Sequence, residues 1–105
     1  MQFLLRLDVH QPTDMSAEEL VSIWAEEATA ALGAVEAGAI TGIWKVAGQR
    51  TVFALCEFPD ARTLDQALSG LPIIQEMGGS VDTEALAVYP YEQFAEDLRT
   101  AAEGG

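Results

Sequence analysis

A small set of side chains has the chemistry to move a proton, to donate a hydrogen bond to an oxyanion or to hold a carboxylate. A histidine or a carboxylate can take a proton from an acidic C–H bond when its pKa lies near the working pH. Arginine and lysine can hold an anion, and arginine can do so through two parallel hydrogen bonds. The candidates are Arg6, Asp8, His10, Trp44, Lys45, Gln49, Arg50 and Glu57.

Three of these residues alternate along the first apolar segment of the chain. Alternation places Arg6, Asp8 and His10 on the same side of a strand. A histidine beside a carboxylate can act as an acid or a base near neutral pH. Without a ligand, the same residues would form an internal Arg6–Asp8 ion pair and a solvent-facing histidine at the strand end. The sequence leaves both interpretations open.

The other candidates lie on a predicted β-hairpin. Glu57 alternates with Phe53, and a carboxylate that lines an apolar cavity has a raised pKa and can act as a general base. The same carboxylate has no special role if it faces water. Lys45 and Arg50 flank the turn, where solvated charges are the alternative to an anion clamp. Trp44 either borders a pocket or packs in the core, and we predict that it packs in the core.

Periodic patterns place these residues on four strands and three helices. Alternating apolar residues predict strands over residues 2–10, 39–47, 50–58 and 80–89. Capping residues predict helices from Ser16 to Gly38, from Asp60 to Gly70 and after Pro90, with an irregular or single-turn segment over 71–77. On the first helix, the predicted polar face contains most of Glu18, Glu19, Glu26 and Glu27.

The order of these elements predicts the fold. Strand, helix, two strands, helix and strand, followed by a last helix, form the ferredoxin-like βαββαβ arrangement of the α+β class. Its four-stranded antiparallel sheet has helices on one face only. A partner subunit is the expected cover for the other face, and two such sheets packed face to face around a two-fold axis form a dimeric α/β-barrel.

Composition excludes several classes of function. The 105 residues are predicted to form a single domain, 1–105. A net charge of −12 repels phosphate backbones and anionic lipid headgroups, so neither nucleic acid nor a membrane surface is an expected partner. No apolar run approaches the roughly 20 residues of a membrane span.

One cysteine and one histidine make a poor metal site, and the reducing cytoplasm is the predicted compartment. Cys56 lies in the middle of a strand and is predicted to be a buried, inert thiol.

Several segments together resemble the muconolactone delta-isomerase family. They are the opening strand FLLRLDV, the following Gln11–Met15 stretch QPTDM, the WKVAGQ stretch at 44–49, the SGLP stretch at 69–72, and Met77. Their order and spacing extend over most of residues 1–77. The resemblance implies a ferredoxin-like subunit, tight homodimers that can assemble into larger rings, and isomerisation of a small unsaturated lactone without a cofactor or a metal.

The implied reaction moves a proton and shifts a double bond. It requires a base, a hydrogen-bond donor for the developing enolate oxygen and a clamp for a substrate carboxylate. The candidate bases are Asp8, His10 and Glu57. The candidate donors are Trp44 and Gln49, and the candidate clamps are Arg6, Lys45 and Arg50.

The sequence departs from the family pattern where this fold would bound a ligand pocket. Residues 73–77 replace an aromatic-rich stretch, residues 82–85 lengthen the fourth strand, and Tyr89-Pro90 replaces a His-Pro pair. These changes predict a substrate other than muconolactone itself. Two alternatives remain: a non-catalytic small-molecule-binding or assembly module of the same fold, and a cofactor-free cyclase or monooxygenase of secondary metabolism.

Overall fold

A computed structural model describes residues 1–104 of the chain. The strands are β1 (Gln2–Val9), β2 (Ile40–Lys45), β3 (Thr51–Glu57) and β4 (Val81–Val88). The helices are α1 (Ala17–Ala37), α2 (Ala61–Ser69), α3 (Pro72–Met77) and α4 (Tyr91–Ala102), with a 3-10 turn at Gly78–Ser80. The sequence predicted all four strands to within two residues at each end. Among residues 1–104, every helix is too short or too polar to cross a lipid bilayer.

The four strands form one sheet in the order β2-β3-β1-β4. Each neighbouring pair is antiparallel, and β1 pairs with both β3 and β4. The two crossovers, through α1 and through α2 with α3, therefore each skip one strand, which is the split arrangement of the ferredoxin-like fold. The predicted α+β class and ferredoxin-like arrangement are confirmed.

The predicted caps define the ends of α1. The Ser16 hydroxyl accepts a hydrogen bond from the Glu19 N–H at 3.1 Å, which satisfies a backbone donor that the helix itself leaves free. At the other end, Gly38 adopts φ of 87°, and its N–H bonds back to the Ala34 and Val35 carbonyls. Only glycine adopts this left-handed conformation without a steric penalty, so α1 ends there.

Residues 71–77 differ from the prediction because they form a helix of their own. Pro72 occupies the first turn of α3, where its missing N–H costs no helical hydrogen bond. Ile73 and Met77 lie four residues apart and are both buried, so burial of one apolar face stabilises the short helix. α3 packs against α1 and so forms part of the layer above the sheet.

A single apolar layer lies between the helices and one face of the sheet. The alternate residues of β1 that face this layer are each at most 9% exposed: Phe3, Leu5, Leu7 and Val9. The same layer contains Cys56 of β3, Leu20 of α1 and Ile73 of α3. Burial raises the pKa of the Cys56 thiol, so the residue is a protonated core side chain, as expected.

The opposite face of the sheet has no helix over it. Leu4 of β1, Leu55 of β3 and Leu86 of β4 lie in register on this bare face. Trp44 joins them and is 57% exposed, so the prediction that it fills the core was wrong. A β-bulge between Ile40 and Gly42 changes the register of β2, and the Trp44 ring lies where a side chain at position 42 would be.

The last helix extends away from the body of the molecule. α4 makes no extensive contact with another element, and the molecule measures 61 × 27 × 21 Å. Tyr91, Phe94 and Leu98 form the predicted apolar stripe and are all exposed. The rings of Tyr91 and Phe94 pack edge to face at 5.7 Å. Together, the bare face and this stripe leave a large apolar area without a partner in one chain.

Replacement of Ser16 by alanine tests the cap of α1. S16A should lower the free energy of unfolding by about 1 kcal/mol, because the Glu19 N–H loses its acceptor. The control is S22A, an exposed position in the middle of the same helix, where alanine should be neutral or slightly stabilising. Urea unfolding followed by circular dichroism measures both. Equal stability of the two variants would contradict the assigned cap.

Candidate functional site

Four of the predicted site residues meet at one end of the bare face. With Val9 and two further polar residues, they border an open recess of about 510 Å³. We call the polar residues of this group the sheet-end cluster, and its members are Arg6, Asp8, His10, Arg50, Thr51 and Asp82. Thr51 and Asp82 were not predicted. Both lie directly opposite Asp8 in the sheet, on β3 and β4, so only the strand register could have revealed them.

Asp8 is already fully engaged within the cluster. The Thr51 hydroxyl donates to Oδ1 at 2.6 Å, and Arg6 Nε donates to Oδ2 at 3.0 Å. The Thr51 hydrogen bond, supported by that from Arg6, holds the pKa of Asp8 below its ordinary value despite some desolvation. A carboxylate with a lowered pKa is a weaker base. The structure therefore contains the internal Arg6–Asp8 pair that the sequence analysis named as the alternative.

His10 has a different partner from the one expected. Its Nε2 lies 2.8 Å from Asp82 Oδ2 on the neighbouring strand. A carboxylate in this position can orient the imidazole ring. Both side chains are more than half exposed, so the pair is open to water. Nearby, Arg50 donates a hydrogen bond to Gln11 Oε1 at 3.1 Å.

Glu57 lies at the opposite end of the sheet. It pairs with Gln2, whereas Thr51 pairs with Asp8 six residues further along β1, a separation of about 20 Å at the rise of a strand. The amino group of Met1 donates to Glu57 Oε1 at 3.1 Å, and both side chains are exposed. Glu57 therefore faces water and does not line the recess.

Gln49 and Lys45 lie on either side of the hairpin turn. The Gln49 side chain is exposed, and its backbone N–H donates to the Val46 carbonyl at 3.3 Å. Lys45 Nζ donates to the same carbonyl at 3.0 Å. Lys45 pairs with Val52, which directs it to the helix side of the sheet, away from the sheet-end cluster.

A second cavity lies on that helix side, between α1 and the sheet. This helix-side pocket has a volume of about 460 Å³ and a mainly apolar lining. The residues that α1 contributes are Trp24, Glu27, Ala28, Ala31 and Leu32, and those of the sheet are Leu7, Ile43, Trp44, Lys45, Val52 and Ala54. Two predicted substrate-binding residues therefore border this pocket, Lys45 and Trp44, although the pairing of Trp44 with Phe53 directs the Trp44 side chain to the bare face.

Glu27 is the one carboxylate that borders this pocket. It is 9% exposed, and its Oε1 accepts a hydrogen bond from the backbone N–H of Ile73 at 3.0 Å. Burial raises the pKa of this carboxyl, although the hydrogen bond from Ile73 acts in the opposite direction. The prediction of a mostly polar face for the glutamates of α1 does not hold for Glu27. The sequence signal for this burial was that Glu27 lies four residues after Ile23 and three after Trp24, and so on the same face of the helix.

No group of three or more His, Cys, Asp or Glu side chains within residues 1–104 is arranged to hold a metal ion. The exposed cluster and the apolar pocket lie on opposite faces of the sheet, so one small substrate cannot contact both within one chain.

Comparison with known proteins relates this geometry to one family. The chain is 26% identical over 97 residues to the muconolactone delta-isomerase of Pseudomonas aeruginosa, covering 92% of this chain and 99% of that protein. A crystal structure of muconolactone isomerase superposes with a TM-score of 0.69 at 24% identity, over 86% of this chain and 92% of the other. The family model described as muconolactone delta-isomerase matches residues 1–92. Since this match includes the whole sheet and α1 to α3, the chain belongs to the muconolactone delta-isomerase family.

Proposed function

We propose that the protein is a cofactor-free isomerase that moves a proton and shifts a double bond in a small unsaturated lactone or enone. Family membership supports an isomerase, and the helix-side pocket is the observation on which the proposal depends. Its volume of about 460 Å³ lies within the range of small-molecule sites, and its mainly apolar lining with few polar groups is typical of them. The substrate is proposed to bind there.

The pocket suits this chemistry better than the sheet-end cluster does. Removal of a proton beside a carbonyl creates an oxyanion, and electrostatic stabilisation of that charge is strongest where water is excluded. The pocket provides apolar walls, and Lys45 at its border can hold a substrate carboxylate. In the cluster, by contrast, the charges of Arg6 and Asp8 already satisfy each other.

A second possible location for the same reaction is the His10–Asp82 pair. Its 2.8 Å contact gives His10 the orientation of a general base, and Arg50 borders the same recess as a clamp. This location requires a second subunit, because the recess of one chain is open to water. The alternative functions, a binding module and a cyclase or monooxygenase, would use a pocket of the same shape without a proton shift.

Self-association is part of the proposal. Exposed apolar side chains on the bare face include Trp44 at 57% and Leu86 at 49%. Contiguous apolar surface of this kind is typical of interfaces between proteins. We propose that the bare faces of two chains pack together as a dimeric α/β-barrel. The sheet-end clusters would then border the interface, whereas each helix-side pocket would remain within its own chain.

Turnover in heavy water tests the proposed reaction and its location. Wild-type protein should convert an unsaturated lactone from a panel that includes muconolactone, with deuterium incorporation seen by NMR. A31F should lower turnover by roughly tenfold or more, because its ring would occupy the pocket that Ala31 lines. The control is A30F, at an exposed position of α1, which should behave like wild type.

The same assay separates the two locations. H10A should retain turnover if the reaction occurs in the helix-side pocket. Loss of turnover in H10A, with full turnover in A31F, would place the reaction at the sheet-end cluster instead. Ligand retention without conversion or deuterium exchange for any member of the panel would favour the binding module over the isomerase.

A charge on the bare face tests the proposed dimer. L86K should shift the protein towards the monomer, because a lysine at the centre of an apolar interface must lose its hydration. V21K on the outer surface of α1, where Val21 is 68% exposed, is the matched control and should leave the dimer intact. Sedimentation equilibrium measures the mass of each variant. A wild-type monomer at all concentrations would contradict the proposal.

A further inference from the structure

Glu27 is the least expected residue of the helix-side pocket. It is one of two polar or charged residues that are at most 9% exposed, the other being Thr51, among residues 1–104. Removal of a carboxylate from water costs several kcal/mol unless hydrogen bonds or a counter-charge compensate. Here a single hydrogen bond from the protein compensates, the one from the Ile73 N–H to Oε1. Oε2 has no protein donor within residues 1–104 and is not fully buried, so it remains accessible from the pocket.

A structural role accounts for only part of this arrangement. The N-cap of α3 is Leu71, whose side chain cannot accept a hydrogen bond. Glu27 compensates by accepting from Ile73, whose N–H is the first free donor of α3 because Pro72 has none. A glutamine at position 27 would accept the same hydrogen bond without the cost of a buried charge. The ability of a carboxylate to gain and lose a proton is what a glutamine lacks.

We propose that Glu27 is the catalytic base of the helix-side pocket, removing a proton from a carbon of the bound substrate and returning it to another. This proposal rests on the isomerase function proposed above and identifies the group that performs it. It also resolves a gap in that proposal, since the side chains of Asp8 and His10 lie on the other face of the sheet and Glu57 lies at its far end.

The proposed step balances without a co-reactant. The substrate C–H bond breaks, the proton forms an O–H bond with the Glu27 carboxylate, and the electron pair remains on the substrate as a dienolate. The protonated Glu27 then gives its proton to the carbon at the other end of the conjugated system. The double bond has moved by then, and the carboxylate is restored. Lys45, which borders the same pocket, can stabilise the negative charge of the dienolate.

Few charged groups surround Glu27, so burial is the main influence on its pKa. Lys45 of β2 borders the pocket from the sheet, and Cys56 is the buried titratable group of β3. On α3, Glu76 is exposed. The α1 residues one turn away from Glu27 are Ile23, Trp24, Ala30 and Ala31, and none of them titrates. Desolvation therefore dominates, and it raises the pKa of Glu27 above its ordinary value, closer to that of an efficient general base.

E27Q separates a catalytic role from a structural one. Glutamine keeps the volume and the acceptor for Ile73 but cannot titrate. A catalytic base predicts a fall in kcat of about 100-fold or more, loss of deuterium exchange and little change in KM. A purely structural role predicts wild-type turnover, which would overturn the proposal. E26Q, the neighbouring exposed glutamate, is the control. E27D, which retains a carboxylate, should recover part of the activity lost in E27Q.

The pH dependence provides a second readout. In wild type, kcat/KM should fall as pH decreases through the raised pKa of Glu27, because the base is then protonated. The pH profile of E27D should show the same fall at low pH, called the acid limb, and that of E27Q should not. Wild-type turnover with the same acid limb in E27Q would overturn only the assignment of Glu27. Wild-type protein that neither converts nor deuterates any lactone of the panel would overturn the isomerase function as well.

Stability provides a test that needs no substrate. A raised pKa in the folded protein means that the ionised carboxyl opposes folding. The wild-type protein therefore loses stability, relative to E27Q, as pH rises from below the unfolded pKa of Glu27 through its folded pKa. Urea unfolding at a series of pH values should show this widening difference. A constant difference across the series would show that position 27 does not titrate abnormally, and would remove the electrostatic basis of the proposal.

Discussion

Helices cover only one face of the sheet, and every functional feature of the molecule depends on this constraint. Successive residues of β1 must point to opposite faces, so the same strand contributes Leu7 to an apolar pocket and Asp8 to a polar cluster. The pocket is lined mainly by apolar side chains, and the cluster mainly by charged and polar ones. Burial raises the pKa of Glu27 on one face of the sheet, and hydrogen bonds lower the pKa of Asp8 on the other.

The sequence was sufficient to predict the four strands, three of the four helices and their order, because these depend on local signals. The Ser16 cap, the Gly38 terminator and the alternation of β1 each act within a few residues. Trp44 was misplaced because a β-bulge reverses the faces of β2, and a bulge leaves no clear mark in one sequence. Asp82 escaped notice because its relation to His10 exists only across the sheet, between residues 72 positions apart.

The candidate base Glu27 shows a different limit of sequence analysis. Five glutamates occur on α1, and their positions along the helix show only how far each lies from the apolar face. Burial of Glu27 also requires α3 to lie against α1 and to present an unpaired N–H at Ile73. A contact in which one helix supplies the hydrogen-bond donor for a buried carboxylate of another cannot be inferred from the hydrophobic periodicity of one helix. The same contact links the proposed base to Ile73 of α3, within the segment that the resemblance marks as a departure from the family pattern.

The projecting helix α4 has a consequence for how the chain becomes fully ordered. Twelve residues are too few to hold a helix firmly in water by propensity alone, and α4 gains little from its own domain. Its order must then be supplied by whatever surface receives Tyr91, Phe94 and Leu98. Ordering the segment on contact costs conformational entropy and weakens the association that it accompanies. The helical content of the C-terminal segment would therefore depend on protein concentration, while the sheet and α1 would not.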